Sequence, residues 1–218
     1  MPDSTTAKSG PPAFTCIATF GSRWFDLAAP AADDITLCTV AHSLAKLCRF
    51  TGHLTAPYSV AQHSVAVSRL LKDEGHGPRV QLLGLLHDAG EAYTGDISRP
   101  MKLACPAVAQ LCDRVQAVAF AALFDQPTPA EKELIATADD RLLVAEAERW
   151  LPGGARMIGY PENTKAERYA AGRWVKDYWP PNTASDRYVA TYYDLIGPAD
   201  ESAAKPQAAA KPQRIKPR

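Results

Sequence analysis

The chain has 218 residues, of which 46% are hydrophobic, and its 24 Lys and Arg balance its 24 Asp and Glu. This length suits one domain with ample material for a core, and the balanced charge excludes a global attraction to nucleic acid or to a membrane surface. No apolar stretch approaches the roughly 18–20 residues of a membrane span, and the polar N-terminus lacks a signal-peptide pattern. We therefore expect a cytoplasmic protein without a membrane or nucleic-acid partner.

Both ends of the chain differ in composition from its middle. Residues 1–12 hold Ser, Thr, Gly and Pro with almost nothing apolar, and the C-terminal segment repeats AAKPQ at 203–207 and 209–213. Such segments bury too little apolar surface to fold, so we predict disorder for 1–12 and 198–218. The folded domain is predicted to span 13–197.

Five cysteines form no CxxC pair, and their odd number argues against a complete set of disulfides. We expect reduced and mostly buried thiols, as in a cytosolic protein. A zinc role for Cys105 and Cys112 is disfavoured because no partner pair stands at the spacing of a structural zinc site.

Helix signals dominate the chain from residue 35 onward. The stretch RWFDL at 23–27 could pair as a short ribbon, and helices are predicted near 35–49, 79–93, 106–124 and 185–196. Ser59 followed by Gln62 predicts a capping box before VAQHSVAVSRLL. Thr128, Pro129 and Glu131 predict a second cap, with a helix running to about residue 150. The sequence therefore predicts an all-α protein, folded as a helical bundle.

Several polar residues fall on the predicted buried faces of three helices. His63 shares a face with the apolar residues of its helix, and Asp139 shares one with Ile135 and Leu142. The pair His87-Asp88 ends an apolar run. Burying the Asp88 carboxylate there would cost on the order of several kcal/mol unless a cation compensates its charge.

The residues on these faces are ligands of the type that divalent transition metals prefer. Two imidazoles and two carboxylates suit Mn, Fe, Co or Zn, with positions left for water and substrate. Helical bundles project such residues inward to a common site. Each residue taken alone is more often an ordinary hydrogen-bonded core group. Their concentration on three helices favours a metal site among His63, His87, Asp88, Glu91 and Asp139.

The order His…His-Asp…Asp resembles the signature of the HD-domain metal-dependent phosphohydrolases. Within that superfamily, residues 49–150 resemble the bacterial 5′-deoxynucleotidases and the phage dATP triphosphohydrolases. The similarity is carried by Arg49-Phe50, by SVAQHS at 59–64, by HDAGEAYTGDISRPMK at 87–102, and by Ala138-Asp139. It covers nearly half of the chain and implies an HD-domain helical bundle with a central metal.

The resemblance implies a role for each matched residue. The metal would be bound by His63, His87, Asp88 and Asp139. Glu91 would act in general acid/base chemistry, and Asp96 would hold water and substrate near the scissile phosphate. The substrate-binding positions are Arg49, Phe50, Pro100 and Lys102.

The four matched substrate-binding positions carry further expectations, as does Asp140, the neighbour of Asp139. Arg49 and Lys102 match phosphate-binding positions, and Pro100 would line the base pocket. Phe50 departs from the usual Trp, which puts strict discrimination against ribose in doubt. Asp140 follows Asp139 by about 100° around the helix, so we expect it beside the site or on the surface.

The function implied is hydrolysis of the 5′ phosphate, or triphosphate, of a deoxynucleotide, with deoxyadenosine nucleotides expected. The choice between monophosphate and triphosphate stays open. A cyclic-dinucleotide or alarmone hydrolase is disfavoured, because the HHExxDGxGYP signature is absent and Glu91 is followed by Ala92. A non-catalytic nucleotide-binding module remains the alternative from another class. We also expect a homo-oligomer.

Overall fold

The computed structural model describes residues 14–160 and 171–197, so the predicted disordered segments 1–12 and 198–218 lie outside the described residues. Its regular elements are β1 (Cys16–Thr19), β2 (Arg23–Asp26), α1 (Leu37–Leu44), α2 (Val60–Asp73), α3 (Pro78–Leu86), α4 (Glu91–Thr94), α5 (Arg99–Ala104), α6 (Pro106–Leu123), α7 (Pro129–Trp150) and α8 (Pro181–Ile196). Short 3-10 turns span Ala32–Asp34, Phe50–Gly52 and Ala155–Ile158. Helices dominate, which confirms the all-α prediction.

The predicted ribbon at 23–27 is present as a two-stranded antiparallel sheet. Strand β1 pairs with β2 so that Ile17 lies opposite Phe25. Phe25 is fully buried and stacks on Tyr93 with ring centroids 4.1 Å apart, whereas Trp24 points outward and is half exposed. This alternation docks one face of the ribbon on the bundle, at α4.

Helix α2 lies at the centre of the bundle and contacts α1, α3, α7 and α8. Residues 60–68 are all buried, as expected of a helix surrounded by others. Leu70 and Leu71 are almost completely buried, and each such side chain contributes about 1.5–3 kcal/mol of transfer free energy. His63 therefore projects from the most deeply packed helix of the described chain.

The predicted capping box at the start of α2 is half formed. The Ser59 hydroxyl accepts from the backbone N–H of Gln62, as predicted. The Gln62 side chain does not return to Ser59: it donates to the Asp177 carbonyl and accepts from the Trp179 backbone N–H. Gln62 thus holds the segment that leads into α8. At α7 both halves of the predicted box exist, between Thr128 and Glu131.

The prediction of one continuous helix over 79–93 is wrong. Helix α3 ends at Leu86, and α4 begins only at Glu91. The backbone of His87 and Gly90 keeps right-handed helical angles, but the backbone N–H groups of residues 89, 91, 92 and 93 donate to the carbonyl three positions earlier. Because of this tighter winding, the side chains of His87, Asp88 and Glu91 leave the backbone in directions that differ from those in an ideal α-helix.

Other boundaries also shift from their predicted positions. The helix predicted over 35–49 spans only Leu37–Leu44, and the helix predicted over 185–196 begins earlier, at Pro181. Thr36 caps α1, and the chain leaves α1 to form a bridge between Cys48 and Ser59. Within the described residues, every helix is too short or too polar to cross a membrane.

The expectation of mostly buried thiols is wrong. Cys112 is buried, Cys16 is partly buried, and the other three cysteines, Cys38, Cys48 and Cys105, are exposed. Leu, Val and Ala fill the core instead, and the exposed thiols lie on the outer face of α1, in the loop after it and at the junction of α5 and α6.

Candidate metal centre

Three potential metal ligands form a compact cluster. The donor atoms of His63, His87 and Asp88 all lie within 4.8 Å of one another. His63 comes from α2, and the other two come from the tight turn between α3 and α4. The Nε2 atoms of the two imidazoles are 3.4 Å apart, and His87 Nε2 is 3.1 Å from Asp88 Oδ2. This cluster could hold one metal ion.

Asp139 of α7 adjoins the cluster through the two imidazoles. Its Oδ1 atom lies 3.0 Å from His63 Nε2 and 4.0 Å from His87 Nε2. Donor atoms bound to one ion at about 2.1 Å lie roughly 3.0–3.4 Å apart when adjacent and about 4.2 Å when opposite. The distances from His63 and His87 to Asp139 fall within these limits, but Asp139 stands outside the mutually close group of His63, His87 and Asp88, which is the set that could hold a metal ion.

Both imidazoles direct Nε2 toward the cluster because Nδ1 is engaged elsewhere. His87 Nδ1 is 2.8 Å from the carbonyl of Gly84, which can only accept, so Nδ1 carries the hydrogen. His63 Nδ1 is 2.6 Å from Oε1 of Glu146. Such bonds fix the tautomer and orientation of metal-binding histidines. Nε2 is thereby the nitrogen of each imidazole that a metal could bind.

Charges around the cluster shift the pKa of its members. Burial and the Arg49 charge lower the pKa of His63, but Glu146 and Asp139 outweigh them and raise it to about 9. Binding of a metal ion at Nε2 would therefore release a proton. Burial raises the pKa of Asp88, yet the His87 charge and hydrogen bond prevail and hold it at about 2. Asp139 is also held below its ordinary pKa, by His63 against the effect of burial.

Arg49 brings a buried positive charge to the same place. Its Nη1 lies 3.7 Å from Asp88 Oδ2 and its Nη2 lies 3.9 Å from Asp139 Oδ1. The Arg49 backbone N–H donates to the Tyr58 carbonyl, beside the bridge that precedes α2. The guanidinium is thus held at the edge of the cluster by backbone pairing as well as by charge.

The residues after Arg49 adopt an uncommon backbone conformation. Phe50, Thr51 and Gly52 have φ of 55°, 53° and 78°, and the first two lack the freedom of glycine. Non-glycine residues at such angles cost about 1–3 kcal/mol each and gather at functional sites. The Phe50 ring lies 5.9 Å from Arg49 Cζ and packs against a small cluster that includes Val144 and Ala155.

Glu91 places an unpaired carboxyl oxygen beside the cluster. Its Oε1 lies 3.8 Å from Lys102 Nζ, and its buried Oε2 has no hydrogen-bond partner among the described residues. Burial and the charges of Asp88 and Asp96 raise the pKa of Glu91 to about 10. The carboxyl therefore holds a proton at neutral pH in this arrangement, and Oε2 is a place for a water or substrate atom.

The remaining predicted residues lie on the segment that follows. Helix α4 ends at Thr94, and the residue that caps it, Gly95, has a φ of 81°, which glycine adopts without strain. Burial, together with Asp88, raises the pKa of Asp96 against the opposing charge of Arg49. Lys102 is partly exposed on α5, and Pro100 is exposed at the first turn of that helix.

Two residues of the site escaped the sequence analysis. Glu146 is fully buried and contacts both His63 and Arg49. It stands seven residues after Asp139, two turns along the same helix, and this spacing is the signal that could have found it. Burial raises its pKa, but Arg49 and His63 outweigh that effect and keep it below the ordinary value.

The second missed residue is Gln116 of α6, which holds the turn that carries His87 and Asp88. Its Oε1 accepts from the Gly90 backbone N–H at 2.7 Å, and its Nε2 donates to the Leu86 carbonyl at 2.9 Å. The amide thus spans both ends of the turn. No periodicity in the sequence singles out this residue.

Comparisons with known proteins give relatives without a stated activity. No protein-family model matches the chain. The chain is 39% identical over 102 residues to YfdR, an uncharacterized protein of Escherichia coli strain K12, and the match covers 47% of this chain and 54% of YfdR. It is 42% identical over 86 residues to an uncharacterized protein of Rhodobacter capsulatus, covering 38% and 44% of the two chains. The chain thus spans about half the length of the curated relatives it matches, and the similarity assigns it no function.

Proposed function

We propose that this protein is a metal-dependent phosphohydrolase of the HD-domain type, which removes the 5′ phosphate or triphosphate from deoxynucleotides. The observation that carries the proposal is the position of Arg49. Its two Nη atoms lie within 4 Å of Asp88 and Asp139, so the cation that we propose binds the phosphate lies beside the potential metal ligands. A guanidinium offers two parallel donors to phosphoryl oxygens.

The proposed metal ligands are His63, His87, Asp88 and Asp139, and the metal is Co, Mn, Zn or Fe, all of which accept imidazole and carboxylate ligands. When bound, such a metal supplies Lewis-acid charge that polarises phosphoryl oxygens and acidifies water. The compact cluster, in which Nδ1 of each imidazole is engaged elsewhere and Nε2 faces the other ligands, supports this assignment.

The residues around the metal ligands supply the rest of the chemistry. Attack of water on phosphorus breaks the P–O bond to the 5′ oxygen, which must leave with a proton. Glu91 holds a proton at a carboxyl whose Oε2 is unpaired, so it can exchange one with the attacking water or the leaving oxygen. Asp96 is close enough to raise the pKa of Glu91 and would orient the same water. Lys102 adds a point charge for the phosphate.

The substrate is proposed to be a deoxyadenosine nucleotide. Phe50 supplies a flat apolar wall without the indole N–H, and an apolar wall rejects one added hydroxyl by only about 10²-fold. We therefore propose limited discrimination against ribonucleotides. Pro100 would line the base pocket on the exposed side. Of the cations described here, Arg49 and Lys102 could clamp one phosphate or help to hold three.

The decisive experiment is a turnover assay on a panel of deoxynucleotides and ribonucleotides, after chelation and after restoring each metal. Released inorganic phosphate from dAMP and released triphosphate from dATP are measured separately. Metal-restored release of either product supports the proposal. Cleavage of a different phosphoester alone would leave a phosphohydrolase of other specificity. Tight nucleotide binding without any turnover would favour the non-catalytic nucleotide-binding module.

A further inference from the structure

Glu146 divides its carboxylate between two partners that come from different parts of the fold. Oε1 lies 2.6 Å from His63 Nδ1, and Oε2 lies 2.8 Å from Arg49 Nε. The side chain of Glu146 is fully buried, and that of Arg49 is 10% exposed. A buried carboxylate is retained at such a position only with close, charged hydrogen bonds on both oxygens.

Each of the two contacts engages one nitrogen of its partner and leaves the remaining nitrogens facing the potential metal ligands. The bond to Nδ1 of His63 leaves its Nε2 as the atom that faces His87 and Asp139. The bond to Nε of Arg49 leaves Nη1 and Nη2, and these lie 3.7 and 3.9 Å from Asp88 and Asp139, beyond hydrogen-bond distance. The two Nη groups are therefore available to an anion placed against the metal ligands.

From this geometry we infer that Glu146 positions His63 and Arg49 relative to each other, so that the phosphate bound by Arg49 meets the metal held by His63. The inference rests on the proposed function and gives the carboxylate of Glu146 two positioning roles, one toward His63 and one toward Arg49. Neither alanine nor glutamine can replace it, because Gln has a single acceptor oxygen and would present an N–H group to one of the two donors.

The inference separates into two effects that can be measured apart. Through His63, Glu146 acts on metal affinity, and loss of such a supporting carboxylate weakens metal binding by about 10–100-fold. Through Arg49, it acts on phosphate affinity in protein already saturated with metal. There, loss of a hydrogen bond to a charged group should weaken binding by roughly tenfold or more.

The test uses the full chain and two probes, Co²⁺ followed by its absorption spectrum and inorganic phosphate titrated into Co²⁺-saturated protein. Glu146→Gln is compared with Arg49→Lys, with the double variant, and with Glu133→Gln, an exposed Glu on the same helix. Glu146→Gln should weaken the binding of both Co²⁺ and phosphate. Arg49→Lys should weaken the binding of phosphate alone. Compared with Arg49→Lys alone, the double variant should bind phosphate no more weakly, but it should bind Co²⁺ more weakly.

The outcomes separate this inference from the function on which it rests. Wild-type protein that binds no Co²⁺ would overturn the proposed function and the inference with it. If wild-type protein and folded Glu146→Gln bind both probes equally well, the proposed function stands and Glu146 serves stability only. If Glu146→Gln does not fold by circular dichroism, Glu146→Asp, which keeps the charge but cannot reach both partners, takes its place in the same comparison.

Discussion

The Nε2 atoms of His63 and His87 lie 3.4 Å apart, although the two residues come from different elements of the bundle. Each imidazole is oriented by an acceptor at Nδ1, so the two Nε2 atoms meet in a part-buried space together with Asp88 and Asp139. Two imidazoles and two carboxylates are ligand types that suit a divalent transition metal.

Replacing Asp139 should weaken metal binding, whereas replacing its neighbour Asp140 should not. Asp139 adjoins the two Nε2 atoms, while Asp140 is 45% exposed and pairs with Arg99 at 2.8 Å. We expect Asp139→Ala to lose more than about 100-fold in metal affinity, since loss of outer partners alone costs about 10–100-fold. Metal content after dialysis against a buffered metal, with Asp140→Ala as the matched control, measures this. Equal metal content in the two variants would exclude Asp139 as a ligand.

Glu91→Gln should keep the metal and lose activity. The amide preserves the shape of the side chain but cannot exchange a proton, and general acid/base help contributes about 10²–10⁴-fold. We therefore expect kcat to fall by roughly 10²-fold or more on the substrate identified in the panel, with unchanged metal stoichiometry. Glu133→Gln serves as the control for the substitution itself. Loss of metal in Glu91→Gln would make Glu91 a ligand and contradict the acid/base role.

Gly90→Ala should destabilise the turn that carries His87 and Asp88. A Cβ at Gly90 would lie 2.9 Å from the backbone Cα and N of Gln116, which cannot move aside without shifting α6. Overpacking of this kind costs about 1–3 kcal/mol. Urea unfolding measures the loss in free energy of unfolding. Gly172→Ala is the matched control, because a Cβ there meets nothing within 4 Å, and a similar loss in that variant would argue against the close contact as the cause.

The ion pair between Glu131 and Arg79 should make stability depend on pH below about 5. A hydrogen bond from Arg79, followed by one from the Thr128 backbone, lowers the pKa of Glu131 from 4.5 to about 2. Because the folded-state pKa is depressed, the stabilisation is present above the unfolded-state pKa and is lost as pH falls toward 2.

We therefore expect the difference in unfolding free energy between wild type and Glu131→Gln to shrink as the pH is lowered from 6 to about 3. Urea unfolding at a series of pH values measures this difference. The exposed control Glu133→Gln should follow the wild type throughout. A difference that stays constant over this range would mean that the Arg79–Glu131 contact does not depend on the charge of Glu131.

Much of the fold and of the candidate site could be read from local sequence. The caps at Ser59 and Thr128 depend on residues three positions apart, so short-range spacing reveals where α2 and α7 begin. The same helical spacing places His63 and Asp139 on inward faces before any contact is known. The His87-Asp88 pair stands out because its polar groups end an apolar run. These features depend on the chain within one or two turns.

The contacts that complete the site depend on tertiary packing. Glu146 meets partners 83 and 97 residues away, and Gln116 spans a turn 26 to 30 residues before it. The helix predicted over 79–93 was wrong for a related reason: the local pattern favours one helix, but Gln116 clamps the turn and Gly90 lies directly against the backbone of α6. Spacing within a helix determines which face a residue occupies, whereas the packing of the helices determines its partner. Burial against another element removes water as a partner, so a charge or amide that is distant in sequence becomes the nearest hydrogen-bonding group.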